Sequence, residues 1–244
     1  MAVEAMGYEI ISIHQLGYTI NERVILRDIA ASIPHGAFVG VLGENGAGKT
    51  TLLDLLMGFR VPSEGMATVW GQQPHQDHWE ARRRIAYLSE KVDIPGDWSI
   101  REFLEFHQFF YPQYSHEREQ DLLNEFRITP EERVGNLSAG EVRRVQIVAA
   151  LASAPDIVVV DEISAVLDIV GRRRFMKLLH EQSQVSQATI VFATNIIEDL
   201  VNHISHILLL RQGTLRTFTT LEGFMQGRAE SEFPQLVADM LEEV

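Results

Sequence analysis

The sequence predicts an α/β fold built around a mostly parallel β-sheet with helices on both faces. Strand-sized apolar runs recur along the chain, helix-like stretches separate them, and several runs are continuously apolar. Continuous apolar runs are typical of parallel strands that are buried on both faces of a sheet. The predicted strands are residues 8–14, 24–26, 38–42, 85–88, 157–160, 189–193 and 204–210.

Length, charge and composition argue against nucleic-acid-binding, disulfide-linked and membrane-spanning proteins. The 244 residues, 45% of them hydrophobic, can fill one large domain or a core with a subdomain. A net charge of −13 argues against a nucleic-acid partner. The absence of cysteine excludes disulfides and thiolate chemistry, which suits a reducing compartment. No apolar run approaches the roughly 20 residues that cross a bilayer, and residues 1–10 lack the basic start of a signal peptide.

The middle of the chain differs from the rest. From about residue 93 to 154 the pattern is helical and punctuated by prolines, which predicts a helical subdomain inserted into a core of residues 1–92 and 155–220. Residues 221–244 form a C-terminal extension with one apolar helical side. We expect this extension to pack against the core, with docking of a partner as the alternative.

A glycine-rich loop follows the predicted strand at residues 38–42 and opens a helical run. Residues 43–50, here called the phosphate loop, form a full G-x-x-x-x-G-K-T motif. Its glycines let backbone N–H groups point at a polyphosphate, the Lys49 amine neutralises the β and γ phosphates, and the Thr50 hydroxyl binds Mg²⁺. A simple glycine turn would need neither side chain. The predicted nucleotide-binding residues of this segment are Gly43, Glu44, Asn45, Gly46, Ala47, Gly48, Lys49, Thr50 and Thr51.

A second apolar strand, residues 157–160, ends in two carboxylates, Asp161 and Glu162. We expect Asp161 to hold Mg²⁺ through water, and Glu162 to polarise the water that attacks the γ phosphate. Two carboxylates at a strand end could instead only cap the next segment. The phosphate loop makes the catalytic interpretation stronger, so the sequence predicts ATP hydrolysis as well as binding, with Lys49 and Glu162 as catalytic residues.

The segment of residues 137–141, here called the signature segment, begins a predicted helix that runs to about residue 152. Its sequence is Leu137, Ser138, Ala139, Gly140 and Glu141. It resembles the L-S-G-G-Q signature of ABC-type ATPases, and the order of the motifs resembles the nucleotide-binding subunit of an ABC transporter over nearly the whole chain. The resemblance implies a P-loop NTPase core of the RecA-like type, an ABC-type antiparallel β region and a helical subdomain insert.

The signature segment carries a second implication. Ser138 can cap a helix whose N-terminus attracts anions. In the family this segment faces the γ phosphate that is bound to the other subunit. The resemblance therefore implies two ATP molecules held at a head-to-tail interface, in a homodimer or in a heterodimer with another ABC ATPase.

Four further residues are matched to the family singly. Tyr18 resembles the aromatic residue that stacks on adenine, with a core tyrosine as the alternative. Glu90 stands where the family often has a glutamine that senses Mg²⁺, and Asp168 resembles the loop that communicates between the two sites, with a helix N-cap as its alternative. Asn195 stands where the family usually has a histidine that contacts the γ phosphate. Asn195 is therefore a third candidate catalytic residue, which could position the γ phosphate through hydrogen bonds. An asparagine cannot become cationic, so we expect slow hydrolysis.

The resemblance implies an ATPase in the cytoplasm, peripheral on the inner face of the cell membrane, that powers an integral membrane permease. Residues 89–90 and 98–104 look most like ATPases of ABC-2-type exporters, which favours export. One alternative is a regulatory or degenerate subunit that binds ATP but scarcely turns over. Another is a non-transport ABC ATPase, which the absence of coiled-coil or zinc-binding insertions disfavours.

Overall fold

The structure is a computed structural model that describes residues 9–76, 79–89, 93–162, 167–197 and 200–242. The strands within these ranges are β1 (Glu9–Ile20), β2 (Arg23–Pro34), β3 (Phe38–Leu42), β4 (Glu64–Val69), β5 (Ile85–Ser89), β6 (Ile157–Asp161), β7 (Thr189–Ala193), β8 (His206–Arg211) and β9 (Thr214–Thr220). The helices are α1 (Lys49–Leu56), α2 (Trp79–Arg82), α3 (Ile100–Gln108), α4 (His116–Phe126), α5 (Ala139–Ala152), α6 (Ile169–Ser186), α7 (Leu221–Met225) and α8 (Phe233–Glu242).

The strands form two sheets. The larger has the order β5-β6-β7-β3-β8-β9 and is parallel except for β9, which pairs antiparallel with β8. The smaller is antiparallel, with the order β2-β1-β4. The predicted α/β fold is therefore confirmed, including its antiparallel β region. Strands β4 and β9 were not predicted because polar residues interrupt both of them.

Both faces of the larger sheet are buried. In β6, Val158 and Val160 face one hydrophobic cluster and Ile157 and Val159 face another. The first cluster lies against α5 and α6, and the second contains α1 and the antiparallel sheet. Burial on both sides explains why this strand reads as a continuous apolar run.

Helices α3, α4 and α5 occupy the region predicted as an insert. Ser99 and Ser115 cap the first two helices by accepting backbone N–H bonds, and Leu104 and Leu122 belong to the same hydrophobic cluster as the sheet. Some aromatic residues of α3 and of the turn after it are packed in the core, and others are exposed to solvent. Phe103 packs on the cluster, whereas Phe109, just after the helix, is 80% exposed.

The C-terminal segment packs on the molecule. Phe233 and Val237 of α8 are fully buried in the cluster that contains α5 and α6, and the Phe233 ring lies 5.9 Å from that of Phe224. Among the described residues, no helix has both the length and the hydrophobicity that a membrane crossing requires.

Candidate active site

The phosphate loop connects β3 to α1 through a tight curl. Gly43 and Gly48 both have positive φ, 154° and 103°. A Cβ atom at Gly43 would lie 2.4 Å from the Leu210 carbonyl oxygen, and one at Gly48 would lie 2.6 Å from the Leu26 side chain. Both positions therefore require glycine, because the loop passes close to its neighbours with a backbone that side chains disfavour.

The Lys49 amine lies inside this loop. Its Nζ donates to the carbonyl oxygens of Gly43 at 2.9 Å and of Glu44 at 3.2 Å, and it lies 3.5 Å from the Glu162 carboxylate. Only 4% of the side chain is exposed. The cation is thereby fixed at the centre of the loop, where it can meet a phosphate oxygen.

Thr50 and Asp161 meet at the carboxyl ends of the parallel strands. The Thr50 hydroxyl donates to the Asp161 carboxylate at 3.1 Å, and Asp161 is 4% exposed. Mg²⁺ prefers oxygen ligands and keeps several water or phosphate ligands beside one or two from the protein. A hydroxyl and a carboxylate in contact, next to a phosphate-binding loop, fit that requirement.

Glu162 follows Asp161 with a left-handed backbone, φ 56°. Its N–H donates to the Ala193 carbonyl oxygen at 3.0 Å, which ties it to the end of β7. Such a conformation is uncommon for a residue other than glycine and is found where the surroundings hold it in place. The turn leaves the carboxylate 37% exposed and beside Lys49, where it can accept a proton from a water molecule.

Tyr87 on β5 is a neighbour of this cluster that the sequence analysis missed. Its hydroxyl hydrogen bonds with Ser89 and Asp161, and burial raises its pKa to about 12. The phenol therefore stays protonated and able to donate to the Asp161 carboxylate. A single tyrosine in a strand belongs to no recognisable sequence motif. Its place beside Asp161 becomes visible only when β5 is aligned with β6.

The signature segment lies on the surface at the start of α5. Ser138 accepts from the Glu141 N–H at 3.3 Å, and the Glu141 carboxylate accepts from the Ser138 N–H at 2.8 Å and its hydroxyl at 2.7 Å. This is a reciprocal capping box. The hydrogen bonds from Ser138 lower the pKa of Glu141, so the segment carries a firmly anionic carboxylate.

Asp168 caps α6. It accepts the Gly171 N–H at 2.6 Å, and its carboxylate also lies 3.5 Å from the Arg144 guanidinium on α5. The N-cap that the sequence left open as an alternative is present, and the ion pair joins α6 to the helix of the signature segment. Communication between two sites remains a prediction for this residue.

Three further residues were predicted for the site from the family resemblance. Asn195 is exposed just after β7, which lies between β3 and β6 in the sheet, so it shares the edge that carries Lys49 and Asp161. Tyr18 is half-buried on β1, and its hydroxyl accepts a hydrogen bond from Arg60 at 3.0 Å. Glu90 lies outside the described residues.

Comparisons with known proteins agree with this geometry. Residues 26–165 match the model of the ABC transporter family. The chain is 30% identical over 209 residues to the probable metal transport system ATP-binding protein of Thermotoga maritima, covering 84% of this chain and 82% of that protein. It is 32% identical over 213 residues to the ABC transporter ATP-binding protein NatA of Bacillus subtilis, covering 85% of each.

Solved structures share the fold. A structure described as the ATP binding subunit of an ABC transporter has a TM-score of 0.84 at 22% identity, covering 94% of this chain and 99% of that one. The dimeric structure of the bacterial ABC transporter cassette MJ0796 has a TM-score of 0.75 at 25% identity, covering 88% and 100%. Since the family match spans more than half of the chain and two relatives align over most of their length, this protein belongs to the ABC transporter family as an ATP-hydrolysing, ATP-binding subunit.

Proposed function

We propose that this chain is the motor of a transporter whose membrane-spanning permease is a separate protein. It binds Mg·ATP at the phosphate loop, dimerises around two nucleotides, and transmits closure and hydrolysis to the permease. The observation that carries the proposal is the cluster of Lys49, Thr50, Asp161 and Glu162 at one edge of the sheet. This cluster supplies a cation, metal-binding oxygens and a base within reach of one phosphate group.

Each residue of the cluster has one task in hydrolysis. Lys49 binds oxygens of the β and γ phosphates. Thr50 and Asp161 would hold Mg²⁺, which would supply further neutralisation of the phosphate charge. Glu162 orients a water molecule and accepts its proton as the water oxygen bonds to the γ phosphorus. The bond from that phosphorus to the bridging oxygen of ADP breaks, and the products are ADP and inorganic phosphate.

A second subunit completes each site. The signature segment exposes Ser138 and the first backbone N–H groups of α5, a helix of 14 residues. Helix N-termini attract phosphate. We propose that this surface faces the γ phosphate bound to the other subunit, which is either a copy of this chain or another ABC ATPase. The related MJ0796 cassette is dimeric in its solved structure.

An exposed aromatic groove is a candidate docking site for a partner protein. Trp79 and Arg83 near α2 and Phe109, Phe110 and Tyr111 after α3 surround a cavity of about 700 Å³. Arg83 lies 4.9 Å from the centre of the Trp79 ring and donates to the Phe110 carbonyl oxygen at 2.8 Å. Exposed apolar patches of this kind mark interaction sites. We propose that a cytoplasmic segment of the permease docks here, which would hold the chain at the inner face of the membrane.

The direction of transport, import or export, does not follow from the family alone. The sequence favoured export, and the relatives do not support it. Their names include a ferric enterobactin transport ATP-binding protein of Escherichia coli and an energy-coupling factor transporter ATP-binding protein of Enterococcus faecalis. Transport in both directions therefore has to be measured, in vesicles that contain the permease.

A second candidate function is a regulatory subunit that binds ATP but hydrolyses it slowly. The observation that favours it is Asn195, exposed after β7 where a cation would be expected. The two functions differ in turnover. We expect wild-type protein to hydrolyse ATP with its permease and Glu162→Gln to lose about a hundred-fold or more of that rate, the usual range for a catalytic base. Equal, negligible rates in both proteins would favour the regulatory function, especially if Asn195→His restores turnover.

The partner is identified by affinity capture. Tagged Glu162→Gln protein is incubated with Mg·ATP and detergent-solubilised membranes of the native source, and captured chains are identified by mass spectrometry. Near-stoichiometric recovery of a polytopic membrane protein supports the transporter, and recovery of only soluble proteins supports a non-transport ATPase. Lys49→Ala serves as the control, since loss of the phosphate-binding amine should weaken nucleotide binding and any capture that depends on ATP.

A further inference from the structure

Arg60 joins two parts of the proposed nucleotide site. Its Nε donates to the Asp54 carboxylate at 2.8 Å, and its Nη1 donates to the Tyr18 hydroxyl at 3.0 Å. Its guanidinium carbon lies 5.4 Å from the centre of the Tyr18 ring. Asp54 is buried and lies one turn after Thr50 on α1, whereas Tyr18 belongs to β1 of the antiparallel sheet. One side chain therefore connects the helix that follows the phosphate loop to the predicted adenine platform.

The turn that carries Arg60 is itself fixed. Gly58 has φ 72°, and a Cβ atom there would lie 2.1 Å from the Pro74 carbonyl oxygen. The Phe59 N–H donates to the Asp54 carbonyl oxygen at 2.9 Å, which closes the turn back onto α1. Arg60 is thus presented from a rigid backbone, so its reach to Tyr18 is determined by the fold.

The residues after Arg60 hold the backbone on either side of Tyr18. The Ser63 N–H donates to the Gly17 carbonyl oxygen at 2.9 Å, and the Ser63 hydroxyl accepts the Thr19 N–H at 3.0 Å. The backbone around Tyr18 and the tip of its ring are therefore held by one segment. A ring fixed at both ends loses little conformational freedom when a base stacks on it.

We infer that Arg60 is a positioning residue for the base-binding site, which holds Tyr18 at a set distance from the phosphate loop through the bridge Asp54–Arg60–Tyr18. The inference rests on the proposed function and on the prediction, from the family resemblance, that Tyr18 stacks on adenine. It assigns Arg60 no contact with the phosphates. Arg60 therefore contributes to the affinity for nucleotides and not to that for a phosphate chain that lacks a base.

Calorimetric titration of the purified full-length chain with Mg·ADP and with Mg·pyrophosphate separates these contributions, because the two ligands carry the same number of phosphates. We expect Arg60→Gln to raise the Kd for ADP about five-fold and to leave that for pyrophosphate unchanged, because the bridge then no longer supplies the hydrogen bond to Tyr18, which is worth about 1 kcal/mol. Tyr18→Phe keeps the ring and removes the hydroxyl, so it should reproduce this effect. The double variant should be no weaker than either single variant, because both remove the same bond.

Several results would overturn the inference. If Arg60→Gln leaves the Kd for ADP unchanged while Tyr18→Ala still weakens ADP binding, the role of Arg60 is refuted. The prediction that Tyr18 binds the base then still stands. Equal losses for ADP and pyrophosphate would mean that Arg60 acts on the phosphate loop, and additive losses in the double variant would mean that it acts independently of Tyr18. If Tyr18→Ala binds ADP normally while Lys49→Ala does not, the adenine platform itself is wrong and the inference falls with it. Tyr18→Phe tests the same bond should Arg60→Gln fail to fold.

Discussion

His107 makes the stability of the molecule depend on pH. Its ring lies in α3, stacked on Tyr111 at 4.5 Å and near Phe103 at 5.9 Å, and it borders a cavity of about 90 Å³ between α3, α5 and β5. The ring hydrogen bonds to the backbone of Ala149. Its Nε2 is buried without a hydrogen-bond partner among the described residues. The histidine therefore packs between α3 and α5 at a cavity that β5 also lines, so its protonation bears on how these helices are held.

The magnitude follows from the pKa. Burial lowers the pKa of His107 from 6.5 to about 4, against a smaller opposing effect of the Ala149 hydrogen bond. At about 1.4 kcal/mol for each pKa unit, this corresponds to about 3 kcal/mol of folding free energy. Because the folded pKa is depressed, this stability is present above pH 6.5 and is lost as the pH falls towards 4. The loss should reach about 1.5 kcal/mol at pH 5.5.

Urea unfolding at pH 8 and at pH 5.5 measures this loss. The lower pH stays above the sequence pI of about 5.1, where the protein would be least soluble. We expect wild-type protein to lose about 1.5 kcal/mol more between the two pH values than His107→Gln, which keeps a hydrogen-bond donor but does not titrate. His116→Gln, at a ring that is largely exposed, is the matched control and should follow wild type. Equal losses in wild type and His107→Gln would refute the reasoning.

Substitutions at three other side chains should change stability or ATP hydrolysis by predictable amounts. Arg143 on α5 donates to the Ser89 carbonyl oxygen at 3.0 Å and to the Gln146 side chain at 2.7 Å, so Arg143→Met should lower the free energy of unfolding by about 1–2 kcal/mol in urea titration. Phe233→Ala should cost about 3–5 kcal/mol because the ring is fully buried, whereas the exposed Gln235→Ala should change stability little; equal costs would mean that α8 is not held as described. Asn195→His should raise the ATP hydrolysis rate of the permease-bound protein, and no increase would show that the asparagine does not limit turnover.

Much of the fold could be predicted because the central strands are buried on both faces and are therefore continuously apolar in sequence. The apolar runs at residues 38–42, 157–160 and 189–193 are central strands of the sheet, and each needs apolar residues on both faces. Strand β9 was not predicted because only Leu215 and Phe218 among its seven residues are large and apolar, and none of the seven is buried.

The candidate site divides in the same way. Lys49, Thr50 and Asp161 were predictable because their chemistry depends on a fixed local spacing, a loop and a strand end. Tyr87 and Arg60 were not, since their roles depend on contacts between elements far apart in sequence, and Asp54 takes part only through its bond to Arg60. Tyr87 on β5 reaches Asp161 on the neighbouring strand β6, and Arg60 reaches Tyr18, which lies 42 positions earlier in the sequence. Ordinary tyrosines, arginines and aspartates in such places carry no pattern that a sequence could reveal.

Three departures from the family pattern lie at positions that, by the family resemblance, would meet the γ phosphate. The phosphate loop and the acidic strand end are intact, whereas Ala139 and Glu141 alter the signature segment and Asn195 replaces a histidine. In this chain the Ser138 hydroxyl already donates to Glu141, so a γ phosphate from a second subunit would have to displace that carboxylate as acceptor. The low pKa of Glu141 keeps its charge negative, which opposes an approaching phosphate. Under the proposed dimer, binding of ATP to one chain should therefore be ordinary, and closure across the interface should be the step that this sequence weakens.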